Sequence, residues 1–250
     1  MTNAALLGIL GYVWTAFGAY WMVVGFLRKS PGAPEGKSRR PAFVVLAVAF
    51  LGVFLERHRI PPALILVLGL TWTGLALYWA APGKGAQSGE FRWYRPMRLV
   101  VLAAVFALLF WDATGINFLG RSFVGPAPLV FGRLGFAMAI AGLACALWAR
   151  VALGKYWSDK VILQTEHQLI RSGPYARLRH PLYSGVLLAV LGTALVLGEW
   201  RGLLAFLLLL VNYSIKAKRE EKILAERFGD KFREHANHTG FLLPTLRDNS

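Results

Sequence analysis

The sequence predicts an all-α protein, a polytopic integral membrane helical bundle of about seven transmembrane helices. A C-terminal helical hairpin and an amphipathic cytoplasmic helix close it. Three observations predict this. Hydrophobic residues make up 56% of the 250-residue chain, and mean hydropathy is +0.48. Charged residues are only 16%, where a soluble domain carries about 25%. Those charges gather between apolar runs, several of them near the ~20 residues that span a bilayer. The net charge of +15 would suggest nucleic acid in a soluble chain. Here basic loops facing anionic lipid headgroups account for it, and no nucleic-acid partner is expected.

The first run, 4–27, has no h-region followed by an A-x-A cleavage site, so it reads as a retained helix. A short run, 41–55, follows the basic loop containing Arg28, Lys29, Lys37, Arg39 and Arg40. The next runs are 62–81, 97–113, 129–149, 181–198 and 202–215. Lys84, Arg92, Arg95 and Arg98 lie around the 82–98 loop, and basic residues are dense after 149. The alternate loops hold only Arg57 and Arg59, then Arg121, then Arg201. Such alternation puts the N-terminus outside and the C-terminus in the cytoplasm. If 41–55 does not cross, only the N-terminal end changes sides. Trp79, Trp111 and Trp200 flank apolar runs as an interfacial belt does. The lone Cys145 has no disulfide partner and reads as a packing residue. The character of the chain is that of a prokaryotic inner-membrane protein.

Two nucleotide motifs are excluded. PGAPEGKS (31–38) has three residues between its glycines where a phosphate-binding loop needs four. No G-x-G-x-x-G follows a strand, so a Rossmann site is not expected.

The chemistry concentrates near GPYARLRHPLYSG (173–185), where Arg177, Arg179 and His180 adjoin an apolar run. A turn is expected at Ser172–Pro174. Pro181 suits a first helical turn, whose missing N–H costs little. The amides of that helix start can attract a carboxylate. Two apolar runs, each ~25 Å as helix, separate His180 from Glu220. Together they cross the membrane and return. His180 and Arg179 then meet Glu220 and Glu221 at one membrane face. From Lys216 the chain becomes charged, with Ile223, Leu224, Phe228 and Phe232 at helical spacing, and Gly229 a possible break. The prediction is a cytoplasm-facing pocket with a cationic end, an anionic end and aromatic walls from Tyr175 and Tyr183. It would admit a zwitterionic small molecule and a hydrophobic reactant from the bilayer. Asn212, one turn from Lys216, is either an interhelical hydrogen bond or part of the site. His235 and His238 read as solvated side chains, and no metal site is expected.

His167-Gln-Leu-Ile170, SGPY (172–175), RHPLY (179–183) with Gly185, Glu220–Glu221 before Phe228–Gly229, and FLLP (241–244) together carry a resemblance. They resemble the isoprenylcysteine carboxyl methyltransferase family and the related membrane phospholipid methyltransferases. The resemblance covers about 150–244, including LGKYWS (153–158). It implies a methyltransferase core at 129–250, preceded by N-terminal helices, 1–128, of unassigned role. It implies S-adenosylmethionine as cofactor and a lipophilic acceptor entering from the membrane. The implied cofactor contacts are His167, Gln168, Leu169, Ile170, Tyr175, His180, Pro181, Leu182, Tyr183 and Glu220. The resemblance puts Lys216 at a substrate-side position. The chemistry of the residues adds Arg179 or His180 as holder of the cofactor carboxylate, Glu221 or His180 as base for an amine acceptor, and Asn212 as a further catalytic candidate. Lys216 stands where the eukaryotic enzymes carry arginine, which loses a bidentate fork but keeps the charge. Lys160 stands in the place of a family glutamine. Carboxyl O-methylation of an isoprenylcysteine-like substrate and N-methylation of a phospholipid headgroup both remain open. A non-catalytic transporter is disfavoured, because transporter sites sit near the midplane.

Overall fold

The computed structural model of the protein describes residues 2–27, 94–110, 118–125, 128–153 and 169–245. The expected runs 41–55 and 62–81, with their basic loops, lie outside the described residues. So do Trp79, Trp111, Lys160, His167 and Gln168. Six α-helices are described: α1 (Asn3–Leu27), α2 (Tyr94–Phe110), α3 (Pro128–Leu153), α4 (Pro181–Leu197), α5 (Trp200–Phe228) and α6 (Asp230–His238). A 3-10 turn, Gly173–Ala176, precedes α4, and no strand occurs among the described residues.

The α3 and α5 helices are long and apolar enough to cross a membrane. The apolar helices α2 and α4, at 17 residues each, reach about 26 Å, near the lower limit for a span. These lengths and compositions are those of an integral membrane protein. The chain divides into two compact units, Gly8–Pro82 and a larger one of Met1–Leu7 with Gly83–Ser250. In the smaller unit α1 buries Leu10 and Thr15, and the Thr15 hydroxyl donates to the Gly11 carbonyl at 2.8 Å. Within the larger unit α2 packs on α5 and α4.

The closest pairing in the larger unit is α3 against α4, and glycine makes it possible. A Cβ on Gly142 would lie 2.5 Å from the Ala189 nitrogen and 2.5 Å from the Gly185 carbonyl. A Cβ on Gly185 would lie 2.6 Å from the Ala146 nitrogen. The two backbones therefore touch, with Ala139, Ala146 and Ala189 fully buried between them. Small residues do this in membranes because lipid offers no hydrophobic drive, so close backbone packing supplies the attraction.

The turn of the α4–α5 hairpin is set by Gly198, whose φ of 70° is left-handed. The segment 118–125 is pinned across it. The Phe123 amide donates to the Gly198 carbonyl at 2.9 Å, and the Trp200 amide to the Arg121 carbonyl at 3.2 Å. Phe118 stacks on Trp200 at 6.0 Å between ring centroids. Next to this ring Arg201 is buried and donates to Glu199 at 2.6 Å.

The charged stretch from Lys216 is helical as expected, and it continues α5. α5 runs unbroken from Trp200 to Phe228, because Lys, Arg, Glu and Ala are strong helix formers and no breaker intervenes. The break falls at Gly229, with φ 52° and ψ −123°, a backbone region open essentially to glycine. α6 follows, with Asp230 favourably placed in its first turn.

Candidate functional site

The 3-10 turn Gly173–Ala176 brings the chain to the start of α4. Gly173 is left-handed, with φ 61°, so the expected turn is present. Tyr175 is buried beneath it. Burial, then the nearby Glu220 charge, raises the Tyr175 hydroxyl above its usual pKa, offset in part by Arg150. The phenol thus stays protonated and able to donate. Pro181 occupies the first helical position of α4 and His180 its N-cap. The first amides of such a helix have no intrahelical acceptor.

The returning helix α5 brings its carboxylates to this point. His180 is 6% exposed and lies between them, Nδ1 being 3.7 Å from Glu220 and Nε2 3.3 Å from Glu221. The Tyr183 hydroxyl donates to Glu220 at 2.7 Å. The Lys216 ammonium is 3.7 Å from the same carboxylate and 5.2 Å from the centre of the Tyr183 ring. The Arg179 Nε donates to Glu221 at 2.5 Å. The rings form a continuous set: His180 stacks on Tyr183 at 5.6 Å, and Tyr183 meets Tyr213 at 4.7 Å. Phe241 packs edge-on against His180 at 5.4 Å. Charges of both signs, tyrosine hydroxyls and aromatic faces therefore converge at one end of a two-helix hairpin.

Tyr175, His180, Pro181, Tyr183, Lys216, Glu220 and Glu221 are thus gathered at the start of α4 and the facing turns of α5. Leu182 is partly buried in the first turn of α4, and Leu169 and Ile170 are partly buried just before the 3-10 turn. Asn212 is buried in α5, one turn before Lys216. His167 and Gln168 lie outside the described residues. The Arg179 guanidinium is engaged with Glu221 and the carbonyls of Ala236 and Thr239. His235 is not solvated as expected. It is buried, because α6 turns its inner face onto the 171–184 segment. Among the described residues no cluster could hold a metal.

Three participants escaped sequence reasoning. Tyr213 and Phe241 extend the aromatic set, and Arg150 is buried in the last turn of α3 near Tyr175. The sequence signal for Arg150 was an arginine directly closing the apolar run 129–149; its burial is seen only in the structure, and arginine is almost never buried without a polar role. Tyr213 belongs to no local motif, and FLLP, which Phe241 opens, carries no local sign of its contact with His180.

Known proteins share this arrangement of sequence. Residues 131–231 match the phospholipid methyltransferase family. The matched region contains α4, nearly all of α3, all of α5 and every charged residue of the cluster. The chain is 32% identical over 116 residues to a probable protein-S-isoprenylcysteine O-methyltransferase of Oryza sativa subsp. indica, covering 45% of this chain and 61% of that one. It is 32% identical over 156 residues to the cobalt-zinc-cadmium resistance protein CzcN of Cupriavidus metallidurans, covering 60% and 62%. It is 41% identical over 77 residues to the methanethiol S-methyltransferase of Pseudomonas deceptionensis, covering 30% and 28%. The chain therefore spans about three fifths of the length of the first two relatives, and less of the third. The likeness to isoprenylcysteine and phospholipid methyltransferases read from RHPLY and the paired glutamates holds.

Proposed function

We propose that the protein is an integral-membrane, S-adenosylmethionine-dependent methyltransferase acting on a lipophilic acceptor, with carboxyl O-methylation of an isoprenylcysteine-like acid as its reaction. The observation that carries this reading is the meeting of His180, Tyr183, Lys216, Glu220 and Glu221 at one end of the α4–α5 hairpin. The donor set fits the cofactor. A sulfonium, an amine and ribose hydroxyls suit carboxylates and aromatic faces, and a methionine carboxylate suits the helix start or a cation. Tyr175, His180, Tyr183 and Glu220, with the backbone of 169–170 and 181–182, would hold it. When bound, the cofactor supplies an electrophilic methyl group for in-line displacement.

The chain's own residues then have three tasks. They orient the two reactants at near-attack distance, which is most of what such a displacement requires. The aromatic set excludes water. Lys216 places a positive charge beside the ring pair, where an ionised acid acceptor would lie. A carboxylate is already deprotonated at neutral pH and needs no base. An amine acceptor must lose a proton, yet Glu221 already accepts from Arg179 and faces His180. That commitment favours the acid. The reading also places the site at the cytoplasmic face of a prokaryotic inner membrane, with the acceptor entering from the bilayer.

N-methylation of a phospholipid headgroup is the second reading, supported by the family match over 131–231. Membranes containing the protein and a methyl-labelled cofactor separate the two. Label released as methanol by mild base marks an ester, and label retained in lipid marks an N-methyl product. Absence of any thermal shift with S-adenosylhomocysteine would remove both.

A further inference from the structure

The cationic end of the site was expected to hold a ligand carboxylate through Arg179 or His180. The hydrogen bonds of Arg179 point elsewhere. Its Nε donates to Glu221 of α5 at 2.5 Å. Its Nη1 donates to the Ala236 carbonyl at 2.8 Å and also to the Thr239 carbonyl, at the end of α6. Its own backbone amide donates to the Gly240 carbonyl at 2.8 Å, while the Gly240 amide returns to the Arg177 carbonyl at 3.0 Å. The guanidinium also lies 5.8 Å from the centre of the Phe241 ring. One side chain therefore joins three pieces of chain: the RHP segment, the exit of α5, and the strap from Ala236 to Leu242.

The strap is where it is for a reason visible in its neighbours. Gly229 redirects the chain after α5. α6 then folds back, and the Ser184 hydroxyl donates to the Leu242 carbonyl at 2.7 Å. Phe241 is thereby laid edge-on against His180. Thr239 closes the end of α6 through its own hydroxyl, which donates to the His235 carbonyl at 2.6 Å. The last carbonyls of α6 lack helical N–H donors, and a guanidinium satisfies them while interacting favourably with the negative helix end. A planar, five-donor cation can hold a carboxylate and two carbonyls at once, and lysine cannot reproduce that geometry.

We infer that Arg179 is a positioning residue: it latches the 236–242 strap to Glu221, and so fixes both the Phe241 wall and the carboxylate beside His180, without touching a ligand itself. The inference rests on the methyltransferase reading only for what the site does. The latch is a property of the ligand-free protein.

Amide exchange on the full-length protein in nanodiscs, without ligand, tests it. Arg179→Ala is expected to speed exchange at 236–242, the Gly240 amide included, by about tenfold or more. Arg179→Lys, which keeps the charge but not the fork, falls between that and the parent. Arg171→Gln serves as control. Arg171 also reaches this region, through Glu234 at 3.3 Å and the Lys231 carbonyl, but it is half-exposed and touches only the outside of α6. Its removal should leave 236–242 unchanged. Protection of 236–242 that survives Arg179→Ala while S-adenosylhomocysteine binding is lost would show Arg179 to be a ligand contact and overturn the inference. Equal loosening by Arg171→Gln would overturn it too. Failure of the parent protein to bind S-adenosylhomocysteine overturns the methyltransferase reading instead, and the exchange result still decides the latch.

Discussion

At the scale of single residues, the site turns on charges that are shared. Glu220 accepts from Tyr183 and lies near both Lys216 and His180. Replacing it with glutamine keeps the shape and removes the charge. S-adenosylhomocysteine affinity should then fall about tenfold, or ~1.4 kcal/mol, by calorimetry in detergent. Unchanged affinity would place the cofactor elsewhere. Lys216→Met addresses the other reactant, and is expected to raise acceptor KM about tenfold while leaving cofactor affinity within twofold. A loss of cofactor binding instead would mean that Lys216 serves the cofactor. His235 gives a pH signature. Burial, then the charges of Arg171, Arg179 and His238, lowers its folded pKa below the ordinary histidine value. The unfolded chain therefore takes up a proton before the folded one does. The contribution is complete above about pH 6.5 and is lost as pH falls through the lowered folded value. Melting temperature should drop between pH 7.5 and 5.5, and His235→Gln should flatten that drop. These residue types were legible from RHPLY and the paired glutamates. Their partners were not, since Arg179 spends its donors on the strap, and Phe241 and Tyr213 reach the site only through folding.

At the scale of elements, the α3–α4 contact fixes where α4 begins and hence where His180 sits. Gly142 and Gly185 face backbone atoms of the opposite helix at distances no Cβ can share. Backbone cannot yield as a flexible side chain can. Gly142→Val should therefore destabilise the protein by about 2 kcal/mol or more and reduce S-adenosylhomocysteine binding in parallel. Circular dichroism and a binding isotherm would check it, and a variant with parent stability would show the helices free to separate. The helices themselves were readable as apolar runs: α3, α4 and the first half of α5 fall within a few residues of the runs 129–149, 181–198 and 202–215. The break after α5 was legible at Gly229. The change of composition at Lys216 starts no new element, because leaving the lipid changes the solvent of a helix without changing its backbone. Only Gly229, whose conformation other residues avoid, ends it.

At the scale of the molecule, the hairpin sorts its residues by membrane face. Phe118 lies at the Trp200 end and Lys218 at the Glu220 end, and about 27 Å of helix separates Trp200 from Lys218. In a Cys145→Ala background, cysteines at Phe118 and Lys218 should react with an impermeant thiol reagent from opposite sides of sealed vesicles. Lys218 is the one expected on the cytoplasmic side, as the basic loops predict. Labelling of both from one side would refute a spanning α5. Sequence by itself determined the helical class of the described residues, the apolar runs that form α3, α4 and α5, the hairpin and the identity of the RHP and Glu-Glu residues, because lipid imposes length and composition locally on each segment. Only tertiary structure decided which carboxylate faces which nitrogen of His180, that Arg179 binds the strap, and that Tyr213, Phe241 and Arg150 belong to the neighbourhood. Those facts depend on the register of packed helices and on the direction the chain takes after Gly229, and no stretch of sequence encodes either one locally.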